Sequence, residues 1–215
     1  IGSGNWSQTV INDKPGIVPA YLSGFFVSTH NISDYNYETV ENYYFWARFP
    51  IVIFNALMLI IIYLLLRNVF NNFIAFASTL GISLSPTVVG YSQVVNPDAV
   101  LWSLSFIAIL GYFSLLKHGG RRFIFLAGIA LGLASLSKYS CEFIYCFLFI
   151  FALFHSISTC KDGGELKTML RKNYLDIVKI WLTALITILL LYPATWTSGS
   201  LLFETAFWHH LSRPL

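Results

Sequence analysis

The feature that most constrains this chain is the spacing of its charges. None falls between Pro50 and Leu66, and the same holds for Phe73 to Val95, Ala99 to Leu116, Phe123 to Ser137, Phe143 to Cys160 and Ile180 to about Tyr192. A helix needs roughly 20 residues to cross about 30 Å of hydrocarbon. The six intervals meet or approach that length, and flanking aromatic and lysine side chains can finish the shorter crossings in the headgroup layer. The same scarcity excludes a soluble fold: 11% of the 215 residues are charged and 56% apolar, too little polar material to cover a surface. Disorder and a disulfide-rich secreted scaffold are excluded as well. So is nucleic-acid binding, because the net charge of +3 is small and the basic residues share no face. The runs lack the period-2 alternation of a barrel wall. The fold class is therefore all-α, a polytopic transmembrane helical bundle with about six spans. Gly128 and Gly132, flanked by Ala130 and Ala134, supply small-residue spacing for close helix contact. Cys141, Cys146 and Cys160 fall at different depths, so neither a disulfide nor a cysteine metal cluster is expected.

Counting Lys and Arg in alternating loops orients the chain. Nine of the thirteen (Arg67, Lys117, Arg121, Arg122, Lys161, Lys167, Arg171, Lys172, Lys179) lie on one side, which is cytoplasmic by the positive-inside rule. The other side carries Lys14, Arg48, Lys138 and Arg213 with seven of the ten acidic residues. Three regions follow: an extracytoplasmic loop over 1–48, a six-helix transmembrane region over 49–196, and the start of another outer loop over 197–215. Within the first, Gly16 to His30 is apolar but too short to span, and Tyr35 to Trp46 is acidic and tyrosine-rich; both are expected to lie along the interface as short helices. Both ends then lie outside, so a preceding span is expected and the chain reads as a fragment. Asn5-Trp6-Ser7 and Asn31-Ile32-Ser33 match glycosylation acceptors on that outer side.

Four outer constellations could carry chemistry. Asn12-Asp13-Lys14-Pro15-Gly16 is either a turn or a phosphate-binding lysine beside a metal- or sugar-binding carboxylate. Asn96-Pro97-Asp98 reads as a cap, first-turn proline and dipole complement, yet a carboxylate at a bilayer edge is costly unless it faces a hydrated cavity. In Ser137-Lys138-Tyr139 the lysine could pair with Glu142 four residues on, snorkel, or hold an anionic headgroup. Trp208-His209-His210-Leu211-Ser212-Arg213 is either an interfacial cluster or the source of one metal-ligating histidine, which Asp13 could join.

Taken in order, these pieces resemble the C-type membrane glycosyltransferases that use polyprenyl-phosphate sugars, the protein O-mannosyltransferases and the lipid A aminoarabinose transferase among them. The shared succession is Asp13-Lys14-Pro15-Gly16, Arg48-Phe49-Pro50, a helix exit at Ser85-Pro86, Asp98 opening the following span, Gly132 to Lys138, Pro193 to Trp196, and His210 to Arg213. Gly16 departs from the family's second proline, and His209 stands where relatives often have Glu. The resemblance implies transfer of a sugar from a polyprenyl-phosphate donor to a hydroxyl of a protein, lipid or glycan acceptor at the extracytoplasmic face. It implies phosphate-binding roles for Lys14, Lys138 and Arg213, a divalent-metal pair in Asp13 and His210, and a sugar-pocket role for Asp98. The family's catalytic carboxylate lies upstream of the Lys-Pro stretch and is expected outside this sequence. Localisation follows as multi-pass in a membrane, a bacterial plasma membrane ahead of an endoplasmic reticulum. The rival readings are a lipid or sugar transporter or flippase, which would line its midplane with polar groups, and a non-catalytic membrane subunit.

Overall fold

The computed structural model describes residues 16–29, 39–160, 163–192 and 196, and those residues are all helix and short connections. The helices are α1 (Ile17–Thr29), α2 (Val40–Val69), α3 (Asn72–Ser83), α4 (Pro86–Ser92), α5 (Pro97–His118), α6 (Arg121–Ser137), α7 (Glu142–Thr159) and α8 (Gly163–Leu191), with a 3-10 turn at Tyr139–Cys141. Four stretches are long and apolar enough to cross a membrane: α2, α5, the 3-10 turn with α7, and α8 from Glu165; α3 and α4 together make a fifth if counted as one bent span. The protein is thus an integral, multi-pass membrane protein. The sixth expected crossing coincides with α6, whose 17 residues rise about 25 Å and fall short of a full bilayer core.

α5 and α6 form the centre. α5 is buried along most of its length, from Ala99 and Val100 through Ile107 and Ala108 to Leu115, and packs between α2 and α6. α6 lies between α5 and α8 because its small residues let both neighbours approach. A Cβ on Gly111 of α5 would stand 3.1 Å from the Ala127 Cβ, and one on Gly132 would stand 2.7 Å from the Ala184 carbonyl oxygen and 2.8 Å from the Thr187 Cβ. Gly128 meets Ile180 and Thr183 of α8 in the same way. The glycine spacing therefore does what the sequence suggests. Two polar contacts add interhelical hydrogen bonds inside the bundle: Ser103 Oγ of α5 donates to Asn55 Oδ1 of α2 at 3.3 Å, and Asn173 Nδ2 of α8 to Ser156 Oγ of α7 at 2.8 Å.

Two expectations are corrected. The uncharged run from Phe73 to Val95 is not one straight span but breaks between α3 and α4, which are bent by 60°. Pro86 explains the break: it has no N–H to continue the helix, and it drives Ser85 out of the helical region to φ −63°, ψ 124°. The tyrosine-rich run up to Trp46 is not a separate interfacial helix in its described part; from Val40 it forms the first turns of α2, which continues through the buried Pro50. Nothing between Val40 and Phe49 breaks a helix, and Pro50, which removes one hydrogen bond and crowds the carbonyl of Trp46, is carried within the long helix. Within the other stretch, Gly16 to His30, the expected short helix forms as α1, whose 13 residues are too short to cross. α1 is fastened by Ser23 Oγ donating to the Ala47 carbonyl at 2.7 Å and by Tyr21 Oη donating to the Leu191 carbonyl at 3.2 Å. All three cysteines are free, with Cys141 buried.

Candidate active site

The start of α5 and the end of α6 meet at one end of the bundle. Asn96 caps α5 by accepting from the Asp98 backbone N–H at 3.1 Å, Pro97 occupies the first turn, and Asp98 follows, so the capping reading of this tripeptide holds. It is not the whole account. The Asp98 carboxylate also accepts from Lys138 Nζ through both oxygens, at 2.7 and 3.0 Å. The partner expected from local spacing, Glu142, is not used. Lys138 is no longer helical: it stands extended (φ −160°, ψ 140°) between α6 and the 3-10 turn, which removes the four-residue register with Glu142 and points the lysine across to α5.

About 30% of each of these side chains remains accessible. A pair buried in apolar surroundings would be a structural rivet; one that is open on one side still presents a cation and a carboxylate to a ligand. Lys138 has three N–H donors and two acceptors in Asp98, so an incoming anion can be bound without breaking the pair.

The same corner receives the start of α1. The Gly16 N–H donates to the Ser137 carbonyl at 3.1 Å, and Gly16 has φ 48°. Proline can satisfy neither condition, since its φ is locked near −65° and it has no N–H. The departure from the Pro-Pro pattern therefore has a structural reason: at this position glycine ties the chain just after Pro15 to the residue before Lys138. Two tyrosines border the corner, and sequence reasoning did not single them out. Tyr192 follows α8, and burial, with the nearby Tyr139 second, pushes its hydroxyl up to about 12. Burial also raises Tyr21. Both remain protonated donors at neutral pH; the sequence offered only an aromatic at the end of an apolar run for Tyr192 and one inside an apolar stretch for Tyr21.

Farther along the same face, Arg48 lies over the Tyr44 ring at 4.9 Å, and Phe45 and Phe49 stack at 5.4 Å, lining an open groove on α2. Asp13, Lys14, His210 and Arg213 lie outside the described residues, as do Asn5 and Asn31. Among the described residues, no group of three or more His, Cys, Asp or Glu side chains could hold a metal ion.

Several helices long and apolar enough to cross a membrane, with an ion pair held at one end of the bundle, define a multi-pass membrane protein. The profile of the dolichyl-phosphate-mannose-protein mannosyltransferase family matches residues 39–196, more than two thirds of the chain. The chain belongs to that family of membrane glycosyltransferases, which depend on polyprenyl-phosphate sugars. The matched region includes both Asp98 and Lys138, whereas Asp13, Lys14, His210 and Arg213 fall outside it. No curated protein and no solved structure matches the chain significantly.

Proposed function

We propose that the chain transfers a sugar from a polyprenyl phosphate to an acceptor hydroxyl at the extracytoplasmic face, with α6 as a sixth, short crossing. The observation that carries this reading is the half-open Asp98–Lys138 pair at the end of the bundle that charge counting assigns to the outside. In the reaction the acceptor oxygen attacks the anomeric carbon as the bond from that carbon to the phosphate oxygen breaks. The acceptor proton passes to a carboxylate that the resemblance places ahead of the Lys14-Pro15 stretch, and the lipid phosphate leaves with added negative charge. Lys138 offsets that charge. Asp98 holds the lysine in place and borders the sugar, a positioning role more than a proton-transfer one.

Lys14 is a second phosphate ligand in this reading. Covalent reach supports it: only Pro15 separates it from Gly16, which limits their Cα atoms to about 7 Å apart, and Gly16 is bonded to the residue before Lys138. Arg213 is a lesser phosphate ligand, and Asp13 with His210 the metal pair. No reaction step is assigned to a metal, because the donors proposed for it lie outside the described residues. The transporter reading finds a broken helix in α3–α4, but Ala75 is the one buried residue of those two helices, which gives no sign of a substrate passage through them.

The test uses the full-length protein in membranes with a panel of radiolabelled polyprenyl-phosphate sugars. One donor is expected to be consumed. Lys138→Ala is expected to lower turnover by about 10²-fold, the usual effect of removing one preorganised electrostatic donor. Unchanged transfer by Lys138→Ala and Lys14→Ala would refute the assignment.

A further inference from the structure

The opposite end of the bundle holds a cavity of about 550 Å³ that the transfer reaction does not use. It opens where the ends of α5 and α7 meet the first half of α8. Residues 98 and 115 of α5 are 17 apart, a rise of about 25 Å, so cavity and ion pair lie on opposite sides of the bilayer. Its size is within the roughly 300–1,000 Å³ of small-molecule sites. Glu165, Lys172 and Asp176 line it from one face of α8, at spacings of seven and four residues. His155 lines it from α7; its ring stacks on Phe151 at 6.2 Å, and its Nδ1 is buried without a hydrogen-bond partner among the described residues. Leu115 and Met169 supply an apolar wall.

We propose that this cavity binds the phosphoethanolamine headgroup of a membrane lipid in the leaflet opposite the Asp98–Lys138 end. The charges select a zwitterion. A bare phosphate would meet two carboxylates, and a bare ammonium would meet Lys172. A headgroup with both can place its phosphate on Lys172 and His155 and its ammonium on the carboxylates. Lys172 and Asp176 are one helical turn apart, about 5–6 Å between Cβ atoms, which suits two charges joined by a short ethanolamine link. Asp176 keeps its bond from Lys179 through Oδ1 at 2.8 Å and so is already oriented. The ligand is lipid-borne because the parts of α7 and α8 that line the cavity also expose large apolar side chains, Phe154, Ile157 and Leu175 among them, that acyl chains would cover. The site is independent of the transfer reading; only its naming as the cytoplasmic leaflet depends on the orientation.

Native mass spectrometry of the delipidated full-length protein in detergent tests it, with dioleoyl phosphatidylethanolamine, phosphatidylcholine and phosphatidylglycerol titrated separately. The ethanolamine lipid should half-saturate the protein at a concentration at least ten-fold below the other two. The Glu165→Gln/Lys172→Gln double variant should lose that preference and Lys172→Arg should keep it. Glu165 and Lys172 are exposed, so both variants should unfold at the wild-type temperature. Equal binding of phosphatidylglycerol would reduce the site to an anion patch, and equal binding of phosphatidylcholine to a headgroup-indifferent crevice. Soluble phosphoethanolamine binding as tightly as the lipid would move the ligand into water. Each of these results, or a preference that survives in the double variant, overturns the proposal.

Discussion

Replacing Gly132 with Ala adds one methyl group where α6 and α8 touch, and the structure sets its cost. The new Cβ would sit 2.7 Å from the Ala184 carbonyl oxygen and 2.8 Å from the Thr187 Cβ, whereas ordinary contacts begin near 3.4 Å. The obstacle at Ala184 is backbone, so α8 as a whole must retreat by about 0.7 Å. A gap of that size forfeits roughly a quarter to a half of the dispersion along the opened contact, and overpacking of this kind costs about 1–3 kcal/mol. Gly81 in α3 is the control, because a Cβ there meets nothing within 4 Å. The same substitution at Gly81 should leave stability unchanged or raise it by up to about 1 kcal/mol, the helix preference of Ala over Gly. The assay is reversible unfolding in mixed micelles, with sugar transfer followed in parallel. Since Lys138 stands six residues beyond Gly132, transfer should fall in Gly132→Ala, by up to about 10²-fold if the misplacement reaches 1 Å. A Gly132→Ala protein as stable as wild type would refute the close-contact account of α6 and α8.

Three further outcomes are expected. In a double-mutant cycle, Asp98→Asn and Lys138→Met should show a coupling of about 1–3 kcal/mol, above a solvated surface pair and below a buried one because both side chains are about 30% exposed; additive effects would mean that the pair is not formed. Gly16→Ala should cost about 1–2 kcal/mol for its positive φ, and Gly16→Pro more, since it also removes the donor to Ser137. Limited proteolysis near residue 16 reads this effect, and wild-type resistance of the proline variant would contradict it. Tyr192 has a folded-state value above that of the unfolded chain, so the stability it contributes is present below pH 10 and lost as pH rises from 10 through about 12. Tyr192→Phe should flatten the stability profile in that window, and an unchanged alkaline slope would count against the burial of this hydroxyl.

What the sequence revealed and what it hid divide along physical lines. Charge-free intervals mark apolar segments because the bilayer imposes a length, and Asn96-Pro97-Asp98 marks a helix start because capping is local chemistry. Gly128 and Gly132 were legible because close approach requires small residues at that spacing. The partner of Lys138 was not: Asp98 is 40 residues away, and choosing it over Glu142 requires knowing that α5 packs on α6 and that the chain leaves the helix at Lys138. Charge spacing passed over the break at Pro86, since it lies inside an interval whose hydropathy is continuous; the resemblance, which makes Ser85-Pro86 a helix exit, marked the place. Gly16 read as a departure from a motif, and only the backbone angle and the Ser137 bond give it a purpose. Lys14, Asp13, His210 and Arg213 lie beyond the described residues, so their part in the candidate site stands on the resemblance and, for Lys14, on covalent reach.

The shortness of α6 has a consequence for how a substrate arrives. Phe125 and Ile129 are exposed, so this helix meets lipid along one side even though it is central to the bundle. If α6 crosses the bilayer as proposed, an acyl layer of about 30 Å faces only about 25 Å of helix beside it, and the membrane would dimple toward Lys138 or leave that ammonium sunk below the level of the surrounding headgroups. Either way, in the proposed reaction a phosphate tethered to an isoprenoid chain would reach the cation by sliding sideways, without its tail being lifted into water.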